Sequence, residues 1–318
     1  MEKIKGGNMK KILLAVGMIA VFSAAIVYAA DAGTTAFEFL KFETGARAIA
    51  MGGAYSAIAD DINSLVWNPA GMSQVNRKEA SFTHIESVVG IRCEYLGYIH
   101  PISDSNIIGG SVSLLTTGDM DRYDEFDVAD GTKFAASDIA ASVSYCNAFN
   151  ENISLGGTLK ILSERLEEEG ALGIALDAGM LYKLNDKYSL ACVLQNIGPG
   201  VRFIDGGILS AMPMNVKLGA GVRLLDNKQL TLATDINLPL ADTIYICLGA
   251  EYSIGENFAI RMGFNTRTMQ DLGTLSGLSI GLGLTNVLAS DMQAGFDYAF
   301  VPYGALGIMH RISFYLKI

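Results

Sequence analysis

His310 and Ser313 come closest in this sequence to a base and a nucleophile, and they stand three residues apart. In an extended chain that spacing puts them on opposite faces, so neither can activate the other. Other Ser–His pairs across strands stay open, but no spacing selects one. Carboxylates gather at Asp119, Asp121, Asp124, Glu125, Asp127 and Asp130. They are numerous enough for the ~6–8 oxygens that Ca²⁺ takes, but lack the spacing and glycine of an EF-hand loop. Glu164, Glu167, Glu168 and Glu169 make a second acidic tip. Both read as solvated outward loops, and no metal is assigned. Cys93, Cys146, Cys192 and Cys247 are widely separated, with no CxxC pair, and read as small strand residues rather than as disulfides or ligands. No catalytic set emerges, and no cofactor motif or nucleic-acid partner is read from the chain.

What must position these residues is a succession of strands. In 257–267 one face is Phe258, Ile260, Met262 and Phe264, and the other is Asn257, Ala259, Arg261, Gly263 and Asn265. Strict alternation with period two is the mark of a strand with one apolar face. Fourteen such segments are expected, at 79–88, 91–100, 106–116, 134–147, 152–163, 171–184, 188–196, 213–225, 229–238, 243–253, 257–267, 277–286, 291–301 and 308–318. Connections alternate between tight turns such as Asn185-Asp186-Lys187 and long loops at 117–133, 197–212 and 268–276. Short turns on one rim and long loops on the other are the habit of outer-membrane barrels, with the long side facing out.

The faces agree with that reading. Leu218, Val222, Leu232, Ile236, Ile246, Leu248, Ile280 and Leu282 share the apolar side. Lys160, Asp177, Lys217, Arg223, Asp235, Glu251, Arg261, Asp297 and Arg311 share the other. An Arg or Lys facing lipid at mid-membrane costs about 2–4 kcal/mol, so the charged side must be the lumen, and its mixed signs imply ion pairs. The whole chain of 318 residues is half apolar, carries a net charge of −10, and has 35 glycines against 6 prolines. After the N-terminus no run of ~20 apolar residues occurs, which argues against a helical membrane protein. The fold class expected is therefore all-β, a 14-stranded antiparallel transmembrane β-barrel in contact with outer-membrane lipids. The double glycine Gly109-Gly110 in the third strand is a candidate kink that could open a lateral gap in the wall.

The N-terminus supplies the compartment. Lys10 and Lys11 precede an apolar run from 12 to 27, and Val27 and Ala29 fit a cleavage pattern, so 1–29 reads as a signal peptide. Met9 makes an alternative start. Cleavage implies export, and the location expected is the cell outer membrane of a diderm bacterium. The last strand, with Ile312, Phe314, Leu316 and Ile318 on one face, resembles the segment read by the barrel assembly machinery, with Ile318 in place of a terminal aromatic.

Between cleavage site and first strand, 30–78 has a different texture. It reads GARAIAMGGAYSAIADD from Gly45 to Asp61, then WNPAGM from Trp67 to Met72. These strings closely resemble the PorV/PorQ family of outer-membrane proteins, within the wider FadL-like superfamily. The matching positions are Gly45, Ala46, Arg47, Met51, Gly52, Ala54, Asp60, Asp61, Trp67, Asn68, Pro69, Ala70 and Gly71. The resemblance implies that 36–72 folds inside the lumen as a plug, or hatch, of a barrel spanning 79–318. It also implies one of two non-catalytic roles. FadL-like proteins are similar to passive transporters of hydrophobic small molecules, a role in which Arg47 would face a ligand carboxylate. The PorV branch is a component of type IX secretion that receives or shuttles secreted-protein cargo.

Overall fold

Alternating side chains can satisfy lipid on one side and a polar lumen on the other only if every backbone edge is paired, which closes the sheet on itself. The computed structural model describes residues 33–318 apart from 124–127, 168, 205, 226–228 and 290–291. The segment 1–29, and Asp124, Glu125, Asp127 and Glu168 of the acidic loops, lie outside the described residues.

The first strands are β1 (Glu79–Glu86), β2 (Arg92–Ser103) and β3 (Asn106–Thr116). A small separate hairpin follows, β4 (Met120–Tyr123) with β5 (Ala129–Phe134). The wall resumes with β6 (Ala136–Ala148), β7 (Ile153–Leu166), β8 (Glu169–Lys183), β9 (Tyr188–Ile197) and β10 (Asn215–Leu224). It ends with β11 (Leu230–Pro239), β12 (Tyr245–Ile254), β13 (Phe258–Asn265), β14 (Leu278–Ala289), β15 (Met292–Pro302) and β16 (Ile308–Lys317). Fourteen of these, all but β4 and β5, form one closed antiparallel barrel in which β1 pairs with β16. The expected strands are all present. The structure adds the β4–β5 hairpin in place of a plain loop, and it extends β7 and β8 so that Leu166 pairs with Glu169. The hairpin is illegible in the sequence because its strands are polar on both faces, which leaves no period to read.

Tight turns form for the reason their composition implies. The Asn150 side-chain oxygen accepts from the amides of Asn152 and Ile153, both at 2.9 Å. Asn185 does the same for Lys187 and Tyr188. Outward positions carry exposed Ile246, Leu248, Ile260, Met262, Ile280 and Leu282, while Lys217, Asp235, Glu251, Arg261, Asp297 and Arg311 are buried within. The barrel geometry and this distribution of faces place the protein in the outer membrane, its long-loop rim outward.

Candidate functional site

The chain that precedes β1 packs against inward-facing residues of the wall. A five-residue helix, Ala46–Ala50, begins at Gly45, whose φ of 90° favours glycine and whose missing Cβ makes room for the Asn63 side chain. Around it, small residues let backbone meet wall. The Ala46 amide donates to Ser313 Oγ at 3.0 Å, and Ser279 Oγ donates to the Ala50 carbonyl at 3.2 Å. Gly52 abuts the backbone of β12 and β13, and Met51 sits over Gly249 and Gly263. On the opposite side Pro69 and Ala70 press into Gly156, with Asn68 and Pro69 against Gly179. The segment thus touches inward faces around the whole barrel, with Met51, Tyr55, Trp67 and Met72 essentially inaccessible. Inward glycines are the sockets of this contact, since any side chain there would collide with it.

Arg47 projects from that helix into a cluster of carboxylates. Its Nη1 reaches Asp60 at 2.6 Å and Asp61 at 2.9 Å, and its Nε and Nη2 form a two-pronged pair with Glu251, both at 2.8 Å. Glu251 also pairs with Arg261 at 2.6 Å, and Arg261 with Asp297 at 2.6 Å. Asp60 is shared with Arg223 at 2.9 Å. Burial opposes the Arg47 charge, but Asp60 and Glu251 outweigh it and hold the guanidinium above its ordinary value. Burial likewise pushes the Asp60 carboxyl up, yet Arg47 and Arg223 prevail and keep it below the usual 3.8. Tyr55 donates its hydroxyl to Asp61 at 2.8 Å, with the Arg47 guanidinium 5.5 Å from its ring centre. The cluster ties helix to wall.

Two cavities lie on either side of the helix. The outer one, about 390 Å³, is lined by Phe39, Phe42, Ile49, Ile91, Leu115, Tyr245, Val301 and Tyr303 together with the charged Glu38, Lys41, Glu43, Arg267, Asp271 and Arg311. The inner one, about 210 Å³, is polar and lined by Arg47, Asp61, Glu79, Glu251, Arg261, Asp297 and Lys317. Ile49 and Arg47 belong to the same helical turn, so this helix is the floor of one chamber and the roof of the other.

The residues singled out from sequence fall as follows. Arg47 does face carboxylates, but they are the protein's own. Gly109 points inward and leaves space for Leu65, whose Cδ2 would lie 2.6 Å from an added Cβ; Gly110 points outward. The ladders from β3 to β2 and to β6 run unbroken through both glycines, so the wall is closed there. Of the motif residues, Trp67 donates to the Thr44 carbonyl at 3.0 Å and stacks under Lys217, whose ammonium is 4.3 Å from the ring centre. Asn68 caps the turn at Pro69, accepting from the Ala70 amide at 3.0 Å and donating to the Ser56 carbonyl at 2.8 Å. Gly71 packs on Ala59, and Ala54 is fully buried. His310 faces outward to Tyr298, while Ser313 faces the lumen, where its Oγ lies 2.8 Å from that of Thr83. Asp121 sits 3.8 Å from Lys133, and Asp130 accepts from Thr132 and lies 4.0 Å from Arg122, so the hairpin's own cations meet these acids. Glu164 points inward and accepts from the Phe37 amide at 2.7 Å rather than decorating a loop tip. Arg311 is legible in the sequence only as one inward charge among several; its place in the outer cavity depends on the register of β16 against β1 and β15.

Comparison with solved structures bears on the architecture. The Pseudomonas putida toluene transporter TodX superposes with a TM-score of 0.61 at 13% identity, covering 86% of this chain and 97% of that one. The Ralstonia pickettii toluene transporter TbuX gives 0.59 at 12%, and a Pseudomonas aeruginosa FadL homologue 0.55 at 14%, each over 86% of this chain and 97% of the other. At such identities the likeness establishes a FadL-like barrel and nothing about the ligand. No curated protein matches the sequence. The family model described as type IX secretion system protein PorV matches residues 28–243, which takes in the lumenal segment with its Arg47 cluster and the wall through β11, and the chain accordingly belongs to the PorV family.

Proposed function

We propose that the protein is a passive, non-catalytic conduit that admits a small hydrophobic molecule across the outer membrane. The observation that carries this reading is the pair of cavities divided by a single helical turn. The outer chamber offers an apolar patch set among charged residues to a molecule arriving from the long-loop side, and the segment around Ala46–Ala50 acts as its hatch. Displacing that turn would join the chambers without breaking any wall ladder. The FadL-like fold, which solved toluene transporters share, is consistent with it. No step asks for bond chemistry, so the closed wall and the ion cluster are parts of a gate rather than of an active site.

A second reading rests on a different feature. The outward loop between β9 and β10 exposes Ile204, Ile208 and Leu209, with Ile208 89% accessible, an apolar offering beyond the wall. Together with the family's link to type IX secretion, it favours a surface that receives secreted proteins. One experiment separates the two. Cells lacking the protein are compared with complemented cells for uptake of a labelled one-ring hydrocarbon and for surface display of secreted proteins. The conduit reading expects slowed uptake with display intact. Unchanged uptake with lost display overturns it in favour of the second reading.

A further inference from the structure

Among the cations lining the outer cavity, Lys41 pairs with Glu38 at 2.8 Å and Arg267 with Asp242 at 2.7 Å. Arg311 differs. It is 4% accessible, has no ion pair or hydrogen bond among the described residues, and its Nε is sealed from solvent without an acceptor. Its neighbours in the ladder are Ile85 and Ala299, both fully buried and apolar. A guanidinium does not shed its proton at any ordinary pH, so it sits there as a charge in poor surroundings. Such a charge is costly unless something compensates it; partial compensation comes from the Phe42 ring, 5.4 Å from Cζ, and from Tyr303 and Glu43 of the same cavity, Glu43 being already engaged by Lys217 at 2.6 Å. That ring covers a face of the guanidinium. The N–H donors lie in the guanidinium's own plane, and Arg311 is among the residues that line the cavity.

We infer that Arg311 is an anion-binding residue and that the outer cavity takes a compact aromatic carboxylate. The carboxylate lies in the plane of the guanidinium and accepts two N–H bonds, while the ring occupies the space among Phe42, Tyr245, Val301 and Tyr303. Planarity is asked for twice, by the fork of donors and by the aromatic walls. The inference rests on the conduit reading for its setting and adds to it a requirement for negative charge, which a carrier of neutral hydrocarbons does not need.

The test uses the full-length purified barrel in detergent, with 3-phenylpropionate as probe and 3-phenylpropanamide as its uncharged counterpart, both titrated by calorimetry. Wild type should prefer the acid by about tenfold or more, the scale of one charge-assisted pair. Arg311→Met should erase that preference while the amide binds as before, and Arg311→Lys should restore part of it. Retained binding of the amide and an unchanged melting temperature certify the fold of the variants. Equal binding of acid and amide in wild type, or an acid preference that survives Arg311→Met, overturns the anion site and leaves the conduit standing. Binding of neither probe overturns the site. Acid binding without uptake by whole cells upholds the site and removes the conduit.

Discussion

Arg47 sets one positive charge against Asp60, Asp61 and Glu251, none farther than 2.9 Å. Replacing it with Met would leave Asp61 without a cation among the described residues and take one of two from Asp60 and Glu251, which keep Arg223 and Arg261. The loss should therefore not exceed about 3–5 kcal/mol, that of a broken buried pair. The cost falls on the attachment of the helix to β12, not on the wall ladders, so the hatch should loosen while the barrel persists. Acid should imitate the substitution in part. Because Asp60 is held below its ordinary value, its contribution is complete above about pH 4 and fades as pH falls through the lowered value. Protease access to the lumenal segment should therefore stay flat from pH 8 to 5 and rise only in stronger acid. In Arg47→Met it should be high throughout. A rise centred near pH 6 would mean that another group, not Asp60, governs the latch.

At the scale of elements, what the sequence discloses and what it withholds have one physical origin. Strands of period two announce both their existence and their faces, which is why the alternation alone turns Phe258, Ile260 and Met262 to lipid and Arg261 inward. The barrel follows from those faces; a lumenal place for the motif residues is what the resemblance of the PorV-like strings implies, and the faces themselves do not give it. Register leaves no such trace: nothing in the chain says that Arg261 lies opposite Glu251, or that Arg311 finds no carboxylate. The helix Ala46–Ala50 is too short to show a helical period, and cavities are differences between surfaces that no single segment encodes. Inward glycines are the overlooked signal. Gly156, Gly219, Gly249, Gly263 and Gly281 are the sockets for Pro69, Ser56, Met51, Gly52 and Ala50. Gly263→Leu would drive a side chain into the backbone of Met51 and Gly52, where nothing flexible can yield, and should lower stability by about 1–3 kcal/mol. Gly110→Ala, which faces lipid, serves as the mild comparison, since its added carbon would lie 3.1 Å from the Ser142 carbonyl. Thermal melting of both variants in the same detergent checks the contrast, and equal effects would deny the sockets their role.

For the whole molecule, fourteen strands enclose too much space for wall side chains alone to fill. Barrels of about 8 strands are filled by their own interiors, and those of about 16–18 leave an aqueous channel. This barrel resolves the excess with a segment whose Tyr55, Trp67 and Met72 are buried against the wall. The charged lumen is thereby divided into pairs such as Lys160 with Asp177 and Lys217 with Glu43, at 2.7 and 2.6 Å. The wall is closed by strand-to-strand ladders that do not include the segment. Deleting 36–72 should thus leave a barrel that still forms and still shifts mobility on heating, but whose lumen holds water. In planar bilayers the deletion variant should show steady ion conductance, with little charge preference because both signs line the lumen, where the intact protein is silent. Conductance equal to that of the intact protein would mean that the outer loops, not the lumenal segment, make the seal. The deletion would then be repeated with 198–214 shortened, to see whether the seal moves with the loop that joins β9 to β10.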